Sequence, residues 1–425
     1  MRLETALAPD VVALARRLRD RPGLAVLRSD PRGALGPLDA GSSFIASDPV
    51  EVTDALAPPM SQPMSRGWAD RPAAPRWVGY VPYEALRGLE RRSYVPDDRR
   101  PAPTVSACRW QRYDAVLRVD HETGRVVVEA DDAAAAHALL DRLAPSIAEA
   151  SCAIDEPSSI DDDDHARAVA RVLELIAAGD AYQVNLARRF VSRFRGSALQ
   201  FFERLYAGAP APYGFFLDAG THHVAGASPE LALELRGRLL RTGPIKGTRL
   251  RGADASSDRD AAVELDASEK ERAELAMVVD LHRNDLGRIA VPGSVRVPSA
   301  PSLREGTTVW SRVAEVRATL EGPLQALDPV LRAFLPCGSV TGAPKVRAME
   351  IIAELERDRR GLYTGAFGMV GRDGGMVLAV AIRTAVVARD EVEYFAGGGI
   401  VWGSDPRQET AETRWKARQL FRVGE

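Results

Sequence analysis

The stretch from Gly220 to Gly243, GTHHVAGASPELALELRGRLLRTG, limits the fold more than any other part of the chain. Apolar and polar residues alternate through it in short runs, and glycines fall between the runs. That pattern predicts successive strands reversing at tight turns. The same alternation marks RWVGYVPYEAL from Arg76, GRVVVEAD from Gly124 and YQVNLARRFVSRF from Tyr182 as strands, and MVLAVAIRTAVVARDEVEYFAGGGIVWG from Met376 as a strand pair. DAAAAHALLDRLAPSIAEA, ARAVARVLELIAAGD (ending at Gly179 and Asp180), ASEKERAELAMVVDLHRNDL and VTGAPKVRAMEIIAELERDRR, opened by Pro344, read as helices. Runs of adjacent strands broken by long helices imply an α+β fold with antiparallel sheets, not a parallel βαβ repeat.

Two stretches interrupt the pattern, a Pro-rich segment from Pro49 to Pro75 and SSIDDDDH from Ser158 to His165. Four consecutive aspartates do not pack without partners, but placed before ARAVARVLELIAAGD they supply an N-cap and favourable charge at the positive helix end. A boundary near residue 155 divides the chain into units 1–155 and 156–425.

Composition excludes several classes of function. With 56 basic against 59 acidic residues and a net charge of -3, the chain carries no electrostatic footprint for nucleic acid or an anionic membrane. No apolar run reaches about 18 residues. The N-terminal MRLETALAPDVVALARRLRD reads as an amphipathic helix, not a signal peptide, which points to the cytoplasm. Cys108, Cys152 and Cys337 are few, odd in number and not spaced as a zinc site, in keeping with a reducing compartment and no disulfide framework. Small molecules and other proteins are the expected partners.

The acidic residues with informative spacing lie on helices. Glu271 and Glu274, three apart, project from one face. Glu409, Glu412 and Lys416 share another face, within an arc of roughly 60°. Each set alone describes a solvated helix surface, whereas two such faces meeting would need a cation, and all-oxygen ligands suit Mg²⁺ better than zinc. An anionic ligand is indicated by AGGGI, whose Gly397, Gly398 and Gly399 leave backbone N–H groups unobstructed, and by Arg383, which interrupts an apolar strand as either an edge residue or a carboxylate clamp. RTGPIKGTRLRG sets Lys246 between Pro-Ile and Gly-Thr pairs, in a shaped turn that either exposes the lysine or holds it in place. GSVTGAPK lacks the spacing of a phosphate loop, and no Rossmann fingerprint is present.

Taken together, PIKGT, KERAELAMVVDLHRNDLGR, GSVTGAPKVRAMEII, AIRTA and GGGIVWGSDPRQETAETRWKA resemble the chorismate-utilising enzymes. That family includes the large subunits of anthranilate and aminodeoxychorismate synthases and the isochorismate and salicylate synthases. The resemblance runs collinearly through residues 160–425, and YVPYE and FIASDP extend it to the N-terminal region. It implies an α/β sandwich of two large antiparallel sheets packed face to face with helices outside. It also implies Mg²⁺ held from Glu274 and Glu412, with Glu271 and Glu409 close by, bridging to a carboxylate of chorismate. Thr341, Tyr363, Arg383, Lys416 and the amides of Gly397, Gly398 and Gly399 match substrate-binding positions. Glu230, in ASPEL, matches the general acid that assists loss of the C4 hydroxyl.

Two positions separate the branches of the family. Gln183 stands where isochorismate and salicylate synthases carry a lysine base, and glutamine takes no proton. Lys246 stands where anthranilate synthases carry alanine. A lysine there resembles aminodeoxychorismate synthases, in which it adds to C2 of chorismate before ammonia attacks C4, giving 4-amino-4-deoxychorismate for p-aminobenzoate and folate synthesis. Anthranilate synthase component I and 2-amino-2-deoxyisochorismate synthase are the alternatives. Lys246 must be neutral to act, and at an ordinary pKa of about 10.4 only about one lysine in a few thousand is neutral at pH 7. A dry pocket, or Arg249 and Arg251, would lower that value. Ser311 departs from the family, which has a histidine beside the substrate ring, and it keeps open an inert chain that only activates an amidotransferase. No stretch resembles a glutaminase, so a separate glutamine amidotransferase subunit is expected to supply ammonia, and another enzyme to form p-aminobenzoate. FIASDP supplies no sharp motif for tryptophan feedback.

Overall fold

The computed structural model describes residues 1–30, 41–60, 73–87, 98–145, 150–322 and 326–424, with side chains to residue 418. Among these residues two large antiparallel sheets carry the architecture. The first contains His223–Ser228, Thr384–Ala388, Glu391–Val401 and Gln183–Gly196, and continues through Ala25–Arg28, Ser42–Ala46, Ala115–Asp120 and Arg125–Ala130. The second contains Leu231–Arg236, Leu239–Gly243, Met376–Val380 and Ala366–Gly371, flanked by Pro75–Val81 and Arg109–Arg112. Strands from both sides of residue 155 therefore enter both sheets.

The sheets face each other across a core that includes Phe44, Val78, Tyr80, Phe215, Leu217, Met369 and Val386. Phe215 of the first sheet stacks on Phe367 of the second, ring centroids 4.6 Å apart. Helices cover the outer faces: Val11–Arg16, Ala133–Asp141 and Ala198–Gly208 on the first sheet, Glu269–Gly287 and Asp328–Phe334 on the second. Asp162–Ala177 and Lys345–Leu355 pack over one end of the first sheet through Val169, Val172, Ile351 and Ile352.

The two stretches read as adjacent strands turn out to cross between the sheets. His223–Ser228 belongs to the first sheet and Leu231–Arg236 to the second, so the chain changes sheet at Pro229 and Glu230. Likewise, the expected strand pair from Met376 is three strands, leaving the second sheet after Val380 and entering the first at Thr384. Alternation reports which face a side chain takes, not which sheet its strand joins. The two crossings lie side by side: Ala227 N donates to Arg383 O at 3.0 Å and Val380 N donates to Glu230 O at 3.0 Å.

Other expectations shift at their edges. The N-terminal helix is confined to Val11–Arg16, capped by the Asp10 carboxylate, whereas Arg2–Glu4 forms a strand on Arg125–Ala130. Pro82 follows the Pro75–Val81 strand, and Tyr83–Arg87 is a short helix. The helix from Lys345 stops at Leu355, and a separate helix, Ala255–Ala267, precedes Glu269–Gly287. Asp161 caps Asp162–Ala177, accepting from Asp163 N at 2.7 Å, as the aspartate run implied. Residues 61–72 of the Pro-rich segment and 146–149 of the helix predicted from Asp132 lie outside the described residues.

Gly342 carries a close backbone approach. It pairs with Val184, its φ is 140°, and a Cβ there would lie 2.1 Å from the Gln183 carbonyl oxygen. Gly342→Ala is expected to lower unfolding free energy by about 3 kcal/mol. Gly287→Ala, with nothing within 4 Å, is expected to stay within about 0.5 kcal/mol of the parent in urea melts.

Candidate active site

A cavity of about 570 Å³ opens beside the two crossings, and both contribute to its wall, one through Glu230 and the other through Arg383. A third element adds Lys246. Ile245–Leu250 is an edge strand of a small sheet, paired with Val309–Val313, and not the loop expected from its glycine and proline. Between Ile245, opposite Val313, and Thr248, opposite Ser311, the strand carries one residue more than its partner. This is a β-bulge with Gly247 at φ 82°, and such bulges redirect side chains.

Lys246 is thereby turned into the cavity, where a Cβ on Gly399 would lie 3.3 Å from its Nζ. Burial lowers its pKa; Glu274 and Glu230 oppose the shift and Lys416 adds to it. Arg249 and Arg251 are not the cations responsible. Arg249 is paired with Glu264 at 2.9 Å and Glu271 at 3.2 Å, and Arg251 with Asp258 at 2.7 Å and Glu305 at 2.9 Å. Their charge is neutralised at those carboxylates.

Glu230 is 4% exposed, and burial pushes its carboxyl up to about 7, against the opposing pull of Ser339 and Lys246. Ser339 Oγ donates to Glu230 Oε1 at 2.6 Å. A carboxylic acid poised near neutrality in a cavity is suited to give a proton to a leaving group. Across the site, Arg383 adopts φ 49°, and burial lowers its pKa. Among the described residues no carboxylate pairs with its guanidinium, so an anion entering the cavity meets an uncompensated charge.

The four glutamates expected to hold a cation all line this cavity. Glu271 is held by Arg249 and Glu412 by Lys416, the latter at 2.7 Å. Burial raises the pKa of Glu274, with Glu271 and Glu409 adding to it against Lys246 and Lys270. Glu409 is also raised by burial, although Ser404 donates to it at 2.7 Å. Glu412 is lowered: burial pushes it up, but Lys416, by charge and hydrogen bond, together with Lys270 and Lys246 outweighs burial. Among the described residues no group of three or more potential ligands has metal-holding geometry. One or two carboxylates completed by waters and a ligand oxygen are nevertheless the donor set Mg²⁺ commonly takes, and Glu274 and Glu409 are carboxylates that a cation would relieve.

The remaining expected residues divide. Tyr363 lines the cavity, stacked on Phe395 at 5.4 Å, and Lys416 donates to Gly397 O at 2.8 Å, which tethers its ammonium at the wall. Gly397 and Gly399 line the cavity, whereas Gly398 faces Glu409, whose Oε2 would lie 3.0 Å from a Cβ at that position. Thr341 is fully buried, donates to Cys337 O at 2.9 Å and is not part of the lining, where Ser339 and Val340 of the same turn appear instead. Gln183 lies just behind Gly399, its amide atoms buried and without hydrogen-bond partners among the described residues. Ser311 sits opposite Thr248 in the small sheet, outside the lining. Sequence reasoning missed Ser339 and Asn185; Asn185 was signalled by its position two residues after Gln183, on the same strand face.

Two facing sheets joined by crossings thus set an acid, a lysine and an arginine with no carboxylate partner among the described residues around one cavity suited to a small anion. Residues 41–422 match the chorismate binding enzyme family model, and the chain belongs to that family. It is 38% identical over 411 residues to anthranilate synthase component 1 of Streptomyces coelicolor, covering 89% of this chain and 80% of that protein. It is 43% identical over 244 residues to aminodeoxychorismate synthase component 1 of Salmonella typhimurium, covering 57% and 54%. Among solved structures, anthranilate synthase component I from Streptococcus pneumoniae superposes with a TM-score of 0.75 at 28% identity, covering 92% of this chain and 94% of that one. The protein is thus a chorismate-utilising synthase with the expected sandwich fold. No helix among the described residues is long and apolar enough to cross a membrane.

Because the Ser339 hydroxyl stabilises the charged form of Glu230, Ser339→Ala is expected to move the Glu230 pKa upward from about 7. Infrared titration of the protonated carboxyl band, with Glu230→Gln to assign it, checks this.

Proposed function

We propose that this chain is the chorismate-binding subunit of an aminodeoxychorismate synthase. The observation that carries the reading is Lys246, turned into the cavity by the bulge, with its pKa lowered by burial and a protonatable Glu230 among its electrostatic neighbours. Arg383, Tyr363 and Lys416 orient the substrate's carboxylates. Neutral Lys246 Nζ forms a bond to C2, the ring double bonds shift, and the C4–O bond breaks as Glu230 delivers its proton to give water. Ammonia then bonds to C4, the double bonds move back, and the C2–Nζ bond breaks to release 4-amino-4-deoxychorismate and the lysine. Mg²⁺ held from Glu274 and Glu412, with Glu271 and Glu409 near, would neutralise a carboxylate that these glutamates otherwise repel. Ammonia comes from a separate glutamine amidotransferase subunit in the cytoplasm, and the product leads to p-aminobenzoate and folate.

Anthranilate synthesis is the second reading, favoured by the 38% identity over 411 residues to the Streptomyces coelicolor protein. Product analysis decides between them. With chorismate, Mg²⁺ and ammonium at mildly alkaline pH, p-aminobenzoate is expected only when an aminodeoxychorismate lyase is added, and Lys246→Ala is expected to lose about 10²-fold or more in rate. Anthranilate as product, or unchanged C4 amination in Lys246→Ala, refutes the lysine mechanism. Chorismate binding without turnover under any ammonia source identifies instead an inert activating partner, the outcome for which Ser311 leaves room.

For the cation, Glu274→Gln is expected to weaken Mg²⁺ binding at least tenfold in calorimetric titrations run with chorismate present. Equal affinity in parent and variant removes Glu274 from the binding set.

A further inference from the structure

Arg360 lies behind the cavity wall, 1% exposed, and touches no space open to a ligand. Its guanidinium is nevertheless the point where three lining segments meet. Nη2 donates to Asn185 O at 2.5 Å, in the Gln183–Gly196 strand. Nη1 donates to Val340 O at 3.0 Å, in the turn that carries Ser339, and to Thr364 Oγ1 at 3.1 Å. Thr364, at φ 61°, donates its own hydroxyl hydrogen bond to Tyr363 O at 2.6 Å. The cation also stands over the Tyr363 ring, 5.5 Å from its centroid, on a ring that stacks against Phe395 in the cavity wall.

Glu356 supplies the remaining partner. Its carboxylate accepts from Arg360 Nε at 2.9 Å and Nη2 at 2.6 Å, and its Oε1 also accepts Ala187 N at 2.9 Å. All five N–H donors of the guanidinium are thereby engaged, which a lysine with three donors on one nitrogen does not reproduce. Burial alone would lower the Arg360 pKa, but the charge and hydrogen bonds of Glu356 together with Tyr83 and Tyr363 outweigh it and the group stays cationic.

A buried ion pair is by itself weak evidence for anything beyond packing. The destination of the donors argues for more. Asn185, Val340 and Tyr363, each tied to this cation, all belong to the cavity lining, and they come from a strand, a helical turn and a loop that share no direct covalent connection. We infer that Arg360 is a positioning residue that sets the mutual spacing of Asn185, Ser339 and Tyr363, and through it the affinity for chorismate. The inference rests only on chorismate occupying this cavity, not on which product is made.

The test begins with the Kd of chorismate for the parent protein in the presence of Mg²⁺, by tryptophan fluorescence or calorimetry. If the parent does not bind chorismate, the assignment of the cavity fails and the positioning role with it. If it binds, Arg360→Lys, which keeps the charge beside Glu356 but loses the fork, is expected to raise Kd and KM about tenfold while kcat falls less than threefold. Thermal midpoints are measured alongside. A lowered midpoint with Kd and KM unchanged overturns the inference and leaves a purely structural ion pair. Should Arg360→Lys not fold, Thr364→Ala is compared with Thr364→Ser. A Kd raised about threefold in the alanine variant and restored in the serine variant supports the role, and equal Kd values in both overturn it.

Discussion

Charge removed from water between two apolar sheets is destabilising unless it is paired or serves a ligand, and the organisation of this protein follows from how that problem is met. Away from the cavity, buried charges are matched. Arg360 with Glu356, Lys345 with Asp285 at 2.6 Å and Arg188 with Asp162 at 2.7 Å are examples. At the cavity wall, Arg383 has no carboxylate partner among the described residues and Lys246 has its amine turned inward, while burial raises the Glu230 carboxyl to about 7. Under the proposed function, a substrate carboxylate would supply the anion that Arg383 lacks, while burial favours the neutral form of Lys246 that the chemistry needs.

Several details show this distribution at work in short distances. Arg249 and Arg251 carry charge close to Lys246 along the same strand, yet both are bound to carboxylates of their own and leave the lysine's pKa to burial. Lys416 does the reverse. It is fixed by Gly397 O and Glu412, and from there its charge works against a second cation at Lys246. The glutamates divide similarly, since Arg249 and Lys416 hold Glu271 and Glu412 closely, whereas Glu274, only 3.9 Å from Lys270, and Glu409 remain raised by burial.

Much of the architecture was legible in the chain because strand alternation and helix caps are local signals. The antiparallel sheets, the Asp161 cap and the helix carrying Glu271 and Glu274 all follow from spacing that a few residues define. What was not legible depends on partners distant in sequence. That Leu231–Arg236 and His223–Ser228 lie in different sheets is decided by which strands pair with them, and nothing between Ser228 and Leu231 announces it. The bulge at Lys246 exists only relative to Val309–Val313. Thr341 and Gly398 were expected at the substrate because their motif was, but Ser339, Val340, Gly397 and Gly399 line the cavity while Thr341 turns to Cys337 O and Gly398 faces Glu409.

The strand crossings have a mechanical meaning. Glu230 and Arg383 ride on the two places where the backbone bridges the sandwich, and each crossing is hydrogen-bonded to the other's strand. The separation of the Glu230 carboxyl from the Arg383 guanidinium is consequently tied to the gap between the sheets, across which Phe215 stacks on Phe367. The apolar interior thus acts as a spacer gauge for the chemistry. A change in core volume far from any ligand is transmitted to the catalytic geometry as thickness.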